Sequence, residues 1–318
     1  MRRIAAGLIV IMSVLLVSCK GKTGNTITVG SDKLDNTQSY FSESMHKAAR
    51  CDSGYYYLDK CGASADNLMF YDDKSEESIV LCNKPQCGHY GEECMAYISG
   101  SEFKSELYYY NSYIYMISSK GNLVRISADG TQRTDLGSIC VLSGQDSVSM
   151  CFNDGYAYVS QEITGDIEGN VTVRLHRFNL DTGLSDKIYE ETGYGIGINS
   201  LKTYGSDTFF LKTSVSKDDK GLYSLEGKGI FRITGENTEC LLDKNVYSYC
   251  IDADNNKLYY SGLGDGTIYE YDLGSGKSES IYKSDNDTGY FYITFDGNYI
   301  WMDDEGYKSM AMYFNKQS

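Results

Sequence analysis

Asn153-Asp154-Gly155-Tyr156-Ala157-Tyr158 is a polar turn followed by an aromatic doublet, and the same pattern recurs along the chain. Asn, Asp and Gly favour tight hairpin turns, and tyrosine favours strands. Each copy therefore predicts a turn that leads into a β-strand. The further copies are Asp52-Ser53-Gly54 with Tyr55-Tyr56-Tyr57, Asn111-Ser112 with Tyr113-Ile114-Tyr115, Gly205-Ser206-Asp207 with Phe209-Phe210, Asp254-Asn255-Asn256 with Leu258-Tyr259-Tyr260, and Asp296-Gly297-Asn298 with Tyr299-Ile300-Trp301.

A second pattern follows within each unit, an alternating strand that runs into another polar turn. Residues 173–178 before Asp181-Thr182-Gly183 and residues 267–271 before Gly274-Ser275-Gly276 are examples. Two hairpin turns per unit imply four short strands, and the units recur roughly every 40 to 58 residues, as propeller blades do. A sandwich or barrel would not require both turn patterns six times.

We therefore predict an all-β fold, a β-propeller of six four-stranded blades, with seven blades as the alternative. Stacking blades in a ring covers the faces that a single blade leaves exposed. The sixth unit ends after its third strand, and the extended residues 25–29 are a candidate for the missing outer strand. The predicted propeller occupies residues 45–318 and includes a cysteine-rich loop at 82–97.

The composition agrees with an all-β chain. The 318 residues include 30 Tyr and 33 Gly but a single Pro, and no stretch after the N-terminal segment has a convincing helical period. The Gly, Asn and Asp residues fall in short clusters between tyrosine-rich runs, as turns between strands should.

Residues 1–18 have the three parts of a secretory signal: Arg2 and Arg3, an apolar run at 4–17, and a cleavage region. The run is shorter than the ~20 residues that cross a membrane. Leu16-Val17-Ser18-Cys19 resembles the lipobox of bacterial lipoproteins, in which the cysteine receives a diacylglyceryl group. We expect lipidation at Cys19, a lipidated leader at 19–44, and an export route to the outer face of the cytoplasmic membrane.

Removing residues 1–18 deletes two arginines and no acid, so the net charge changes from −15 to −17. Such a chain offers no basic surface for phosphates, and we expect no nucleic-acid partner. For the same reason, lipid on Cys19 must supply the membrane attachment, because anionic lipid does not attract this charge.

Nine cysteines follow Cys19, so they cannot all pair within the chain. Cys51 and Cys61 flank the first aromatic hairpin and are predicted to face each other across it as a possible disulfide. Three others, Cys82, Cys87 and Cys94, accompany His89 in the spacing C-x4-C-x-H-x4-C. Three thiolates and one imidazole complete the tetrahedral ligand set of a structural Zn²⁺ and leave no open position for catalysis. A disulfide between two of these cysteines is the alternative.

The lipobox, the tyrosine-rich hairpins and the segment at 81–97 together resemble a family of propeller lipoproteins of Gram-positive gut anaerobes. That family has distant similarity to the YWTD type of lipoprotein-receptor propeller. The resemblance covers essentially the whole chain and implies a protein on the outer face of the cytoplasmic membrane. It brings no catalytic residues, and because this chain lacks a YWTD tetrapeptide the receptor similarity implies the fold only.

The sequence contains no G-x-S-x-G, H-E-x-x-H or P-loop motif. His176 lies on an alternating strand beside Arg174 and Arg177, and we expect it to be a surface or rim side chain. We therefore expect no catalytic residue and no catalytic cofactor. The leading hypothesis is a tethered binding module for a glycan, a peptide or an envelope protein. The alternatives are a hydrolase or lyase on extracellular polysaccharide, and a sensor or assembly scaffold for an envelope complex.

Overall fold

The computed structural model describes residues 48–304 and 312–315, apart from 101–102, 104–106, 144–145, 166–168, 205–206, 236, 285–288, 290 and 296–298. The described residues form strands, turns and loops and contain no helix, so the predicted all-β class is confirmed. It follows that this part of the chain has no helix suited to crossing a membrane. The predicted signal, Cys19 and residues 25–29 lie outside the described residues.

The strands form six antiparallel sheets that follow one another in chain order. Sheet 1 contains β1 (Ala48–Cys51), β2 (Gly54–Lys60), β3 (Ala65–Asp72), β4 (Glu77–Val80) and the short β5 (Tyr97–Ser99), which pairs with β3. Sheet 2 contains β6 (Tyr108–Tyr110), β7 (Tyr113–Ile117), β8 (Asn122–Ser127) and β9 (Arg133–Ser138). Sheet 3 contains β10 (Ser147–Asn153), β11 (Tyr156–Thr164), β12 (Asn170–Asn179) and β13 (Ser185–Tyr194).

The other three sheets repeat the same up-and-down order. Sheet 4 contains β14 (Gly197–Tyr204), β15 (Asp207–Lys217), β16 (Tyr223–Thr234) and β17 (Asn237–Leu242). Sheet 5 contains β18 (Val246–Asp252), β19 (Lys257–Gly262), β20 (Thr267–Asp272) and β21 (Lys277–Lys283). Sheet 6 contains β22 (Phe291–Phe295), β23 (Tyr299–Asp304) and β24 (Met312–Asn315), so three strands of this sheet are described.

Each sheet packs face to face on the next through its own buried apolar cluster. Five such clusters join sheets 1 and 2, 2 and 3, 3 and 4, 4 and 5, and 5 and 6. Where two aromatic residues are directly adjacent, one strand serves both neighbouring sheets, because successive side chains of a strand point to opposite faces. Tyr260 packs in the cluster shared with sheet 4, and the adjacent Tyr259 packs in the cluster shared with sheet 6.

The first strands of successive sheets are also joined by hydrogen bonds. The Tyr249 hydroxyl of β18 donates to the Ser200 carbonyl of β14 at 2.6 Å. The Thr203 hydroxyl of β14 donates to the Phe152 carbonyl of β10 at 2.7 Å. Six meandering sheets stacked in this way, with their first strands adjacent, are consistent with a β-propeller.

The meander gives the stacked sheets two distinct edges. A four-stranded meander ends on the side where it began, so each new sheet starts at the same edge. We call this the connector edge. It carries the links between sheets, which include residues 82–96, 139–143, 195–196 and 243–245, and the second hairpins of sheets 1 to 5, such as the one at 218–222. The turn edge lies opposite and carries the polar turns on which the sequence prediction rests, for example at 52–53, 154–155 and 253–256.

Candidate metal centre

The cysteine-rich loop belongs to the link between sheets 1 and 2, at the connector edge. The three Sγ atoms of Cys82, Cys87 and Cys94 and a ring nitrogen of His89 all lie within 4.8 Å of one another. Within the described residues this is the single group of three or more His, Cys, Asp or Glu side chains placed to share one ion. The four ligands predicted from the sequence are therefore brought together.

Tight turns in the backbone produce this convergence. The Cys87 amide donates to the Lys84 carbonyl at 3.3 Å, and the Cys94 amide donates to the Gly91 carbonyl at 3.1 Å. His89 has φ of 59° and Gly91 has φ of 79°, which bend the chain so that the imidazole turns back toward Cys94. His89 Nδ1 and Cys94 Sγ lie 3.6 Å apart.

The base of the loop is held by the apolar cluster between sheets 1 and 2. Cys94 and Ala96 are buried there with Leu68 and Leu81. The Leu68 amide donates to the Ala96 carbonyl at 2.7 Å, and the Leu81 amide donates to the Leu68 carbonyl at 2.9 Å. Both ends of the loop are thus fixed on β3, while Cys82, Cys87 and His89 stay half-buried near solvent.

The thiols have unequal acidity in the absence of an ion. Burial raises the pKa of Cys94 to about 11, and its hydrogen bonds with the Cys82 and Cys87 thiols raise it as well. Burial also acts to raise the pKa of Cys82, but hydrogen bonds from the Lys84 amide and from the Cys94 and Cys87 thiols lower it overall. Three thiols so close together cannot all ionise without a cation, so the donor set suits a metal ion.

All nine cysteines of the described residues are free thiols, including the three of the loop. The predicted facing of Cys51 and Cys61 is wrong. Cys51 pairs with Gly54 at one end of β2, whereas Cys61 follows Lys60 at the other end. The length of β2 separates them by about 20 Å, far beyond the Cα distance of a disulfide.

His176 is buried, contrary to the expectation of a surface or rim position. Its Nε2 atom lies 3.2 Å from Gln161 Oε1, and the Gln161 amide group donates to Asp146 Oδ2 and to the Val141 carbonyl, both at 2.8 Å. Burial, together with the positive charges of Arg174 and Lys187, lowers the pKa of His176 to about 4. This network ties the link between sheets 2 and 3 to sheet 3, which is a structural task.

A projecting hairpin at the connector edge was not predicted from the sequence as a surface feature. β15 and β16 end in a turn at 218–222 beside the exposed Leu222, Tyr223 and Leu225. The signal in the sequence is the pair Leu222-Tyr223 directly after the turn residues Asp218 to Gly221. This end of the hairpin extends beyond its pairing with β14 and β17, so its apolar side chains stay exposed.

The chain matches no protein-family model and no curated protein sequence. Among solved structures it is similar to the computationally designed Ika8 protein, with 11% identity, a TM-score of 0.48, and coverage of 84% of this chain and 70% of that one. It is also similar to a chain of a nidogen/laminin complex, with 12% identity, a TM-score of 0.45, and coverage of 80% of this chain and 87% of that one. A third similar structure is an oligogalacturonate lyase from Vibrio parahaemolyticus, with 11% identity, a TM-score of 0.39, and coverage of 91% of this chain and 97% of that one. None of these likenesses identifies a family, a ligand or a reaction for this chain.

Proposed function

We propose that this protein is an exported, lipid-anchored binding module built as a six-bladed β-propeller. The observation that carries the proposal is the unbroken series of five buried clusters, each joining one sheet to the next. Sheets that twist and stack through both faces close naturally into a ring, which leaves no face of a sheet exposed. In such a ring the first strands line a central channel and the loops form two edges.

Ring closure requires sheet 6 to pack on the free face of sheet 1. Tyr56 of β2 packs toward sheet 2, so the alternation of the strand turns Tyr55 and Tyr57 to the other face. Two tyrosines on that face supply the apolar surface that a sixth cluster needs. The fourth strand of sheet 6 is proposed to come from residues 25–29.

Membrane attachment is proposed to come from lipid on Cys19. Acyl chains contribute ~0.8 kcal/mol per buried CH₂, so a diacylglyceryl group holds a domain firmly without a membrane-spanning segment. The lipobox and the charge of −17 both support this proposal, because the mature chain has no electrostatic affinity for anionic lipid. The protein would then stand on the outer face of the cytoplasmic membrane.

The ligand is proposed to be a glycan, a peptide or an envelope protein, bound by the channel or by the loops at the ends of the sheets. Propellers position short loops on a rigid frame, which suits recognition. A hydrolase or lyase on polysaccharide remains the alternative, and converging acidic side chains in the channel would favour it. A scaffold for an envelope complex is the third hypothesis.

The cysteine-rich loop is proposed to hold one Zn²⁺ in a structural role. Cys82, Cys87, Cys94 and His89 would supply the four ligands, and the closed set would leave no position for a substrate. The ion would fix the long link between sheets 1 and 2, a segment that forms no strand between Cys82 and Ala96. Its contribution is to the stability of the loop rather than to chemistry.

The anchor is tested by the Cys19→Ala variant in the native host. The variant should move from the membrane fraction to the soluble or secreted fraction, because the thiol that accepts the lipid is gone. Cys61→Ala is the matched control, since Cys61 is a free, partly exposed cysteine outside the metal centre. Retention of Cys19→Ala on membranes would contradict the lipid anchor.

The binding activity is tested with the released Cys19→Ala protein. Added to cells that lack the gene, it should bind the envelope saturably, and prior digestion of the cells with protease or with glycan hydrolases should separate the protein ligand from the glycan ligand. Binding that never saturates, or no binding, would contradict a specific module.

A further inference from the structure

The exposed apolar side chains of this protein are concentrated at one edge. Eight large hydrophobic residues are exposed among the described residues. Leu184 lies in a turn at the turn edge and Ile79 lies on the outer strand of sheet 1. The other six lie at the connector edge: Tyr90, Val141, Tyr194, Leu222, Tyr223 and Leu225.

The hairpin of β15 and β16 carries the densest part of this surface. The two strands have 11 and 12 residues, whereas the corresponding β7 and β8 of sheet 2 have 5 and 6. Because the hairpins of both sheets start from the turn edge, the hairpin of sheet 4 projects roughly 20 Å further than that of sheet 2. Its strands are the longest among the second hairpins of the described sheets, and the hairpin of β11 and β12 in sheet 3, with 9 and 10 residues, reaches nearly as far.

The tip is rigidly built. Asp218 Oδ1 accepts the amides of Lys220 and Leu222, both at 2.8 Å, and the Asp218 amide donates to the Leu222 carbonyl at 2.9 Å. The hydroxyls of Ser216 and Ser224 bond to each other at 2.8 Å across the two strands. These bonds hold Leu222 outward with 65% of its surface exposed.

Two aromatic rings complete the tip. The rings of Tyr223 and Tyr194 are stacked, with centroids 6.1 Å apart, and Lys217 Nζ lies 5.1 Å from the centroid of Tyr223. Tyr194 is the last residue of β13, so the stack joins sheet 3 to the hairpin of sheet 4. Tyrosine rings that are packed on one side and open on the other are typical of side chains at the level of lipid headgroups.

The chain from Cys19 reaches the described structure at the same edge. Ala48 is the first residue of β1, and first strands begin at the connector edge. Lys217 and Lys220 balance Asp218 and Asp219 in the hairpin, so the tip carries no net charge although the mature chain carries −17. Anionic headgroups would repel most of this protein but would not repel the tip.

We propose that the connector edge faces the bilayer and that Leu222, Tyr223 and Leu225, supported by Tyr194, enter the interfacial layer of the membrane. The proposal rests on the lipid anchor at Cys19. Tethering gives the tip a high effective concentration at the surface, so a small apolar contact suffices to orient the domain. Lys217 and Lys220 would keep their stems in the apolar layer and their ammonium groups among the headgroups.

The orientation also selects the surface that is free for a ligand. With the connector edge on the membrane, the polar turn edge and the channel opening at that edge point away from the membrane. The ligand of the proposed binding module would then meet side chains of the turns at 52–53, 154–155 and 253–256, and would not meet the six exposed apolar residues of the connector edge.

The test uses the full-length lipidated protein in phosphatidylcholine vesicles with brominated acyl chains, which quench nearby tryptophan. Tyr223→Trp places the probe on the tip, and Leu184→Trp is the matched control, since Leu184 is at least as exposed as Tyr223 but lies at the turn edge. The native Trp301 gives both variants the same background. Flotation of the vesicles reports attachment in the same samples.

The tryptophan at 223 should lose about half of its emission in brominated vesicles and shift to the blue, and the tryptophan at 184 should do neither. Equal quenching of the two probes, or no quenching at 223 in protein that floats with the vesicles, would overturn the proposal and leave the anchor intact. If the tryptophan at 223 is not quenched by brominated lipid, but its emission shifts to the blue when envelope proteins are added to the vesicles, the connector edge would be a protein-binding surface instead. Protein that does not float would overturn both the anchor and the orientation.

Discussion

At the scale of single residues, the metal centre depends on a few backbone positions that let a short loop converge. The sequence predicted the four ligands, because their identity and close spacing are visible in Cys82 to Cys94. It did not predict the support, since the bonds from β3 to Leu81 and Ala96 join residues far apart in the chain. The ligands form a half-buried group whose base is fixed in the apolar cluster between sheets 1 and 2.

Protein purified without reductant should contain about one Zn²⁺ per chain. Cys87→Ser should lower the zinc content to near zero and lower Tm by about 2–5 °C, because the link between sheets 1 and 2 loses its cross-link. Metal analysis and thermal unfolding measure both effects, and Cys61→Ser should change neither. Zinc-free wild-type protein with two thiols fewer than the nine that follow Cys19 would favour the disulfide instead.

The burial of His176 follows from the packing of sheet 3 between two neighbouring sheets. Leu175 of β12 packs in the cluster shared with sheet 4, and Phe178 packs in the cluster shared with sheet 2. Because alternate side chains of a strand share a face, His176 lies on the face of Phe178, toward sheet 2. The sequence shows an alternating strand but does not show that a neighbouring sheet covers each of its two faces.

His176 should make the protein less stable in acid. Its pKa is about 4 when folded and about 6.5 when unfolded, so between these values the unfolded chain binds a proton that the folded chain does not. The free energy of unfolding should therefore fall as the pH drops from 6.5 to 4, by roughly 2 kcal/mol after allowance for partial solvent screening.

His176→Gln removes this titration, and its stability should vary less steeply with pH across the same window. Urea unfolding of both proteins at several pH values measures the difference. Glu162, whose pKa is raised by burial, acts in the opposite direction in both proteins and cancels in the comparison. If the free energy of unfolding varies equally steeply with pH in the two proteins, the lowered pKa of His176 would be contradicted.

At the scale of elements, the turns were predictable and the contacts between sheets were only partly so. The turns at 52–53, 111–112 and 154–155 could be predicted, because Gly, Asn, Asp and Ser stand there directly before runs that contain aromatic residues. The strand β5 was not predicted, because Tyr97–Ser99 has no turn of its own and pairs with β3 from a distance in sequence. Aromatic residues favour strands, and the structure adds that the two side chains of the adjacent pairs Phe209-Phe210 and Tyr259-Tyr260 serve two different interfaces.

Tyr249→Phe tests the bonds that join the sheets. The Tyr249 side chain is fully buried, and its hydroxyl donates to the Ser200 carbonyl of the neighbouring sheet. Losing this bond should lower the free energy of unfolding by about 1–2 kcal/mol, and Tm by a few degrees. Tyr90→Phe, on a ring that is 77% exposed, is the control and should be neutral. Identical stability of the two variants would show that the bond between sheets 4 and 5 contributes little.

At the scale of the whole molecule, the closed ring is the claim on which the other proposals depend. The two edges, the central channel and the outward-facing turn edge have a functional meaning only if sheet 6 packs on sheet 1. The sequence predicted six units and a missing fourth strand in the last of them, because the repeats are visible as turns. It could not establish closure, since a contact between the first and last sheets would leave no local pattern in the sequence.

Hydrogen exchange of the backbone amides tests closure most directly. In an open array the outer sheets unfold locally at low cost, whereas in a ring every sheet has two neighbours and all unfold together. The account predicts that amides of β1, β2, β22 and β23 exchange as slowly as those of β14 and β15 in the middle of the chain. Exchange in sheets 1 and 6 that is orders of magnitude faster than in sheets 2 to 5 would contradict the ring.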